Sequence, residues 1–405
     1  MITVEEAQQR ILESMVHYQP RPVTVSLAEA VGRVLAQAVV SDLDIPPFDN
    51  SSMDGFALLS SAVIDAKADH PVDLEVAATI SAGHPLSDLS IAPHQCYRIM
   101  TGAPVPKGVD SVIQVEWTEP HGDWVRITRP VPPGLNIRYK GSDIADQTEV
   151  LTPGTVLTPA LIGIMATLGR THCAVFRRPS IAIVSTGDEL VDPSLTPGPG
   201  QIRNSNAYAL YAAVLQAGGD PVLIPHAPDD LHLIIERLND AARYDLILSS
   251  GGVSVGDFDL VKTALQQHGT QNFWRVNMKP GKPVAFGHYR DTPFFGLPGN
   301  PVSALVTFEL FVRPMIRQMQ GDFRWPRLVL QLPLLEDFTE VADRRHYVRC
   351  QIRRDSLGAL GVIPSPDQGS AIQTSWLQAD GLMVIPEHTG PWLRGATVAV
   401  MLLHS

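Results

Sequence analysis

The chain has 405 residues, 44% hydrophobic and 18% charged, with 31 Lys and Arg against 42 Asp and Glu for a formal net charge of −11. That length exceeds one ordinary core, so roughly two to four domains are expected, and the composition excludes a disordered chain. The acidic balance excludes a nonspecific nucleic-acid surface, because counterion release needs clustered Lys and Arg; any anionic ligand must meet local positive groups. Cys96, Cys173 and Cys350 are few, odd in number and widely spaced, which suggests buried small hydrophobes rather than disulfides or a zinc knuckle. The N-terminus lacks a basic start followed by an apolar run, and no span approaches about 18 uninterrupted apolar residues, so a cytoplasmic protein with no membrane association is expected.

Thr3 and Glu6 have capping-box spacing, and Val4, Ala7, Ile11, Leu12 and Met15 follow at helical intervals, so the chain opens on an amphipathic helix. Ser26 with Glu29 repeats the signal. From about Asp44 to Asp143 the texture becomes β-rich, with DLEVAATI, CYRIM, SVIQV and WVRIT separated by Pro and Gly turns. Thr158-Pro159 then starts a helix, ALIGIMATL, that Gly169 can stop. The segments flanking the β-rich stretch thus read as one domain interrupted by an insertion.

SIAIVST, a helix from about Asn206 to Ala217, PVLIP, a helix from Leu231 and YDLILSS alternate in the rhythm of a doubly wound α/β domain. VAFG, PFFGLPG and a helix begun by Asn300-Pro301 continue it to about Gln320. LVLQLP, YVRCQI and TVAVML then announce a small β domain.

Ligands of open α/β sheets bind beyond the carboxyl ends of the strands, so the loops there carry the candidate chemistry. Ser185-Thr186-Gly187-Asp188-Glu189 offers a glycine and two acids, the features either of an ordinary turn or of a cation site. The loop from Ser249 to Asp259 is dense in glycine and serine, and Ser250, Gly251, Gly252 and Ser254 can turn N–H and hydroxyl donors toward phosphate oxygens. Asp259 is placed either to ligate a divalent ion or to cap the helix DLVKTALQQH. Neither the Walker A pattern nor GxGxxG is present. MKPGKP puts Lys279 and Lys282 on a stiff turn, suited to an anion or to solvent. GLPGNPVS ends a strand and starts a helix whose free N–H groups favour negative charge. In the β-rich stretch, DNSSMDGFA, RIMTGAP and the segment holding Asn136, Arg138 and Asp143 read as polar turns.

At these loops the sequence resembles the MoeA family of molybdopterin molybdenumtransferases, to which the C-terminal domain of gephyrin is related. PPFDNSSMDGFA, RIMTGAPVP, STGDEL, SGGVSVGDFD, MKPGKP and GLPGNPVS carry the resemblance, in that order and along the whole chain. It implies a multidomain α/β plus β fold. An N-terminal helical linker domain (1–45 and 144–178) would be interrupted by an inserted β-rich domain (46–143). A doubly wound, MogA-like α/β catalytic domain (179–325) and a small β-barrel-like C-terminal domain (326–405) would follow. It further implies a homodimer whose sites join two subunits, and Mg²⁺-dependent insertion of molybdate into adenylylated molybdopterin with release of AMP. The MogA-type adenylyltransferase and recipient molybdoenzymes are the implied partners.

Carried over by motif, Glu189 and Asp259 are the acids at the metal and pyrophosphate, Lys279 and Lys282 the basic pair for anions, and Pro298 and Pro301 the shapers of the adjoining loop. Asp54, Thr101, Arg138 and Asp143 represent the inserted domain, Arg349 and Ser370 a molybdate pocket. Where many relatives have an Asp near the end of the second α/β strand, this chain has His226 and Ala227, with Asp229 and Asp230 close behind. Two other activities are compatible with parts of this pattern: a molybdopterin adenylyltransferase, whose fold resembles the α/β domain alone, and a noncatalytic pterin-binding scaffold.

Overall fold

In a computed structural model, which describes residues 1–16, 18–83, 90–251 and 260–403, the chain forms two compact units. One comprises Met1–Ala36, Gly154–Pro159 and His172–Ser405, the other Gln37–Pro153 and Ala160–Thr171.

The larger unit is built on a six-stranded sheet. Asp220–Leu223, Ser180–Ser185, Leu246–Ser250 and Thr292–Leu297 run parallel in that spatial order, and Pro283–Tyr289 and Gly269–Arg275 extend the sheet antiparallel. Side chains alternate across a strand, so Ile181 and Ile183 enter one core while Ala182 and Val184 enter another. The first core receives Leu210 and Val214 from the helix Ser205–Ala217. The second receives Ile234 and Leu238 from Leu231–Ala241, and Val261 and Leu265 from Leu260–His268. Helices on both faces make this the doubly wound domain expected from the sequence. Asn204 and Asp230 cap two of them, each side-chain oxygen accepting a backbone N–H three residues on. The helix begun at Pro301 runs on to Met319 through a π turn at Phe308–Val312.

Val4, Ala7 and Ile11 of the opening helix Val4–Ser14 join the first core, as the apolar spacing predicts, and Thr3 accepts the Glu6 N–H at 3.1 Å. The C-terminal strands Val329–Pro333, Thr397–Leu402, Gly381–Ile385, Arg345–Arg354 and Leu360–Pro364 form one run of pairings. A bridge from Leu334 to Val362 joins the last strand back to the end of the first, which gives the small β domain its barrel-like closure. One further edge strand comes from an unexpected source. Met278–Lys279 of MKPGKP, read from sequence as a turn, pairs in parallel with Arg345 and His346.

The second unit holds another six-stranded sheet, in the order Ser111–Gln114, Gly55–Leu58, Gln95–Ile99, Val72–Ile80, Trp124–Ile127, Thr118–His121. The four β-rich runs named from sequence are all strands of it. Gly55–Leu58 corrects the reading of DNSSMDGFA as a turn throughout: its four residues are buried between two neighbours, and a Cβ on Gly55 would collide with the Ile113 carbonyl. Alternation cannot reveal a strand buried on both faces. All three cysteines are buried, as expected, and burial pushes the Cys96 and Cys350 thiols up to about 12. Among the described residues no helix is long and apolar enough to cross a membrane.

Candidate functional site

Ser185, Ser250 and Leu297 are register partners at the carboxyl ends of adjacent parallel strands, so the loops leaving them emerge side by side. At Gly251 the backbone turns with φ +92°, and a Cβ there would lie 3.0 Å from the Thr186 carbonyl oxygen. Only glycine meets both constraints cheaply. Its N–H donates to the Leu297 carbonyl at 3.2 Å, which ties the middle loop to its neighbour.

A cavity of about 330 Å³ opens between these loops, lined among others by Thr186, Glu189, Asn206, Ser250, Gly251, Asn300 and Pro301. Gly187 lets the Glu189 carboxylate fold back over the turn: φ there is +135°, and a Cβ would overlap that carboxylate. Asn206, in the first turn of its helix, donates to Ser250 Oγ at 2.9 Å and to the Gly299 carbonyl at 2.7 Å, so one amide clamps the second loop to the third. From sequence Asn206 marks only a helix start; the two asparagines of RNSNAY are the available signal.

Asn300 also lines a second cavity, of about 580 Å³, with Lys279, Lys282, Ser303, Glu340, Arg344 and Ser370. The Asn300 amide donates to Ser370 Oγ at 3.0 Å, and the Val302 N–H to the Ser370 carbonyl at 3.1 Å, which docks the C-terminal loop on the helix N-terminus. The Lys279 ammonium lies 3.0 Å from Glu340.

Arg349 is placed differently from its expected role. Its guanidinium is fully buried and donates to the carbonyls of Asp367 and Gly369 and to Ser375 Oγ, each at 3.1 Å. Burial holds it below the usual arginine range, with Asp367 opposing that shift. It does not line the cavity; it braces from behind the loop that presents Ser370.

The predicted residues thus fall into groups. Glu189, Ser250, Gly251 and Pro301 line the first cavity; Lys279, Lys282 and Ser370 line the second; Pro298 is buried in the strand-to-helix turn. Gly252, Ser254 and Asp259 lie outside the described residues. In the His226 region, Nε2 of His226 lies 2.8 Å from the Gly187 carbonyl, and Asp230 is committed to its helix cap. The Asp229 N–H donates to Asp188, so this segment braces the STGDEL turn. Among the described residues no group of three or more His, Cys, Asp or Glu side chains is assembled to hold a metal ion.

The second unit carries its own polar cluster. Asp54 Oδ1 accepts the Thr101 N–H at 2.6 Å and the Thr101 hydroxyl at 2.8 Å, and these bonds, backbone first, hold its carboxyl below the usual range. Arg138 pairs across a short ladder with Asn50, whose other neighbour is Pro104. Asp143 donates its N–H to the Ile45 carbonyl, and both Arg138 and Asp143 are exposed.

Family models match along the chain: a MoeA N-terminal region (domains I and II) over residues 2–169, a probable molybdopterin binding domain over 182–318, and a MoeA C-terminal region (domain IV) over 331–403. The chain is 39% identical to molybdopterin molybdenumtransferase 2 of Mycobacterium tuberculosis over 401 residues, 96% of each chain. It is 33% identical to the molybdopterin molybdenumtransferase of Bacillus subtilis over 410 residues, 99% of this chain and 94% of that one. The crystal structure of a molybdopterin biosynthesis MoeA protein from Pyrococcus horikoshii OT3 matches with a TM-score of 0.86 at 29% identity, covering 99% of this chain and all of the other. By full-length identity and by fold, this chain belongs to the MoeA family of molybdopterin molybdenumtransferases.

Proposed function

We propose that this protein is the molybdenum insertase of molybdenum cofactor synthesis: it takes adenylylated molybdopterin and molybdate and releases AMP as the metal is inserted. One observation supports this reading most. A cavity bearing a carboxylate, a serine and a glycine-turned backbone is joined through Asn300 to a larger one bearing two lysines, so one substrate with a pyrophosphate and a second, separate oxyanion can be held as neighbours. Both ligands are anions, and an acidic protein needs local N–H donors and ammonium groups to hold them.

Glu189 with Asp259 would hold Mg²⁺, which keeps several waters and uses one or two carboxylates beside substrate phosphates, so it needs no larger acidic cluster. When bound, that ion would supply charge neutralisation at the phosphate bond. Ser250, Gly252 and Ser254 donate to the phosphate oxygens in this proposal, and Gly251 lets the backbone approach them closely; Lys279, Lys282 and Ser370 hold molybdate, and Arg349 positions the Ser370 loop. Asp54, Thr101, Arg138 and Asp143 serve a site completed by a second copy of the chain, with Asp143 and Asp54 as its acids and Arg138 as an anion contact. The proposal includes a homodimer in the cytoplasm and the four-domain division at residues 45, 143, 178 and 325.

The test is turnover with purified adenylylated molybdopterin, molybdate and Mg²⁺. AMP release coupled to active cofactor is the expected outcome. Adenylylation of molybdopterin by ATP would point instead to the adenylyltransferase, and neither reaction to a pterin-binding scaffold.

A further inference from the structure

Lys279 does not reach into its cavity unaccompanied. Its ammonium is 3.0 Å from Glu340 Oε2, and the same oxygen is 3.6 Å from Nδ1 of His346. His346 is the register partner of Lys279 at the sheet edge and only 3% exposed; its Nε2 faces Asp343 at 3.5 Å. One carboxylate oxygen therefore pairs with the lysine of one strand and lies beside the imidazole of the next.

The backbone under Glu340 is tied down. Phe338 and Trp392 exchange N–H to carbonyl bonds of 2.8 Å, and the Ala342 N–H donates to Thr389 at 2.9 Å. Gly390, at φ +110°, packs so closely that a Cβ would lie 2.7 Å from the Glu340 carbonyl oxygen. A carboxylate on a pinned loop is aimed, whereas one on a free loop would wander. Among the described residues the other carboxylate lining the cavity is Asp367, which is turned to its own loop's backbone and accepts the Gly369 N–H at 2.7 Å, while Arg344 is paired with Asp343. Glu340 is thus the acid that meets the lysine.

We propose that Glu340 is an internal counter-anion for Lys279: it holds the ammonium over the cavity when no ligand is bound, and an incoming tetrahedral oxyanion such as molybdate must take its place. The inference rests on the reading of Lys279 as an anion-binding residue. Glu340 is then a positioning residue that sets oxyanion affinity by competing for the same ammonium.

Equilibrium binding of molybdate alone to the full-length protein at low ionic strength tests this, in the wild type, Glu340→Gln, Lys279→Ala and the double variant. Glu340→Gln should bind molybdate about three- to fivefold tighter, the scale of a partly exposed ion pair, and the gain should shrink as salt is added. The gain should vanish in the Lys279→Ala background, a coupling that a merely structural role for Glu340 would not produce. Glu340→Asp, which keeps the charge but shortens the reach, should fall between the two and covers the case in which the Gln variant misfolds. Unchanged or weaker binding by both folded Glu340 variants, or a gain that persists undiminished without Lys279, overturns the proposal while leaving Lys279 as a ligand-binding residue. Equal binding by wild type and Lys279→Ala would instead remove the reading of Lys279, and the proposal with it.

Discussion

At Gly187 and Glu189 a single backbone conformation decides where a candidate metal ligand points. Gly187→Ala asks a residue with a side chain to adopt φ +135° and to share space with the Glu189 carboxylate. A modest loss of stability, about 1–2 kcal/mol, is expected from the backbone strain. AMP release should fall further than stability explains, and should recover in part as Mg²⁺ is raised; kinetics at several Mg²⁺ concentrations beside a thermal melt check this. Asp259→Asn separates two roles that sequence leaves together, since asparagine is an equally good helix cap but a poorer ligand for Mg²⁺. Unchanged melting with AMP release that needs more Mg²⁺ is the expected result, and normal release at limiting Mg²⁺ would leave Asp259 a cap. For Asp54 the sign follows from its depressed carboxyl. The bonds from Thr101 favour the ionised form, so their contribution is present above the unfolded value of 3.8 and is lost as pH falls through the lower folded value. Thr101→Ala removes one of the two bonds, so the Asp54 carboxyl should titrate closer to 3.8, as carboxyl-resonance NMR would report.

The loop carrying Ser370 shows how an element, rather than a residue, makes a pocket. It is held from one side by the Asn300 amide and from the other by the buried Arg349 guanidinium. Lysine cannot reproduce that planar fork, so Arg349→Lys should cost about 2–3 kcal/mol in chemical denaturation, the scale of charged hydrogen bonds lost. Molybdate binding should weaken with it because the loop loosens. A direct ligand would behave otherwise, losing affinity with stability intact. The same scale explains what sequence reading missed: MKPGKP has the composition of a turn, and nothing local indicates that Met278 and Lys279 find a strand to pair with at Arg345 and His346. Such pairing is a long-range event. The helix Val4–Ser14, by contrast, announces itself through apolar spacing and the capping spacing of Thr3 and Glu6, both local.

At the scale of the whole molecule, the proposed dimer predicts complementation between two inactive copies. Asp54→Ala and Asp259→Ala each remove one contributor to a site assembled from two chains. Mixed dimers of the two should regain part of the wild-type turnover, because one of their two sites keeps both acids. Isolated, mass-verified heterodimers that remain inactive, with both variants shown to fold, would refute the shared site. The sequence alone determined the alternation of the parallel strands with their helices in the α/β domain, though not its edge strand Gly269–Arg275, and also the β-rich character of the insertion and the motifs that mark the family, because periodicity, caps and loop composition are properties of neighbouring residues. Only tertiary structure decided that Asn206 clamps two loops, that Arg349 braces a loop from behind and that Glu340 occupies Lys279. Those contacts join residues 44 to 93 positions apart at Asn206, 20 at Arg349 and 61 at Glu340, and chain topology, to which no local pattern is sensitive, sets which of them meet.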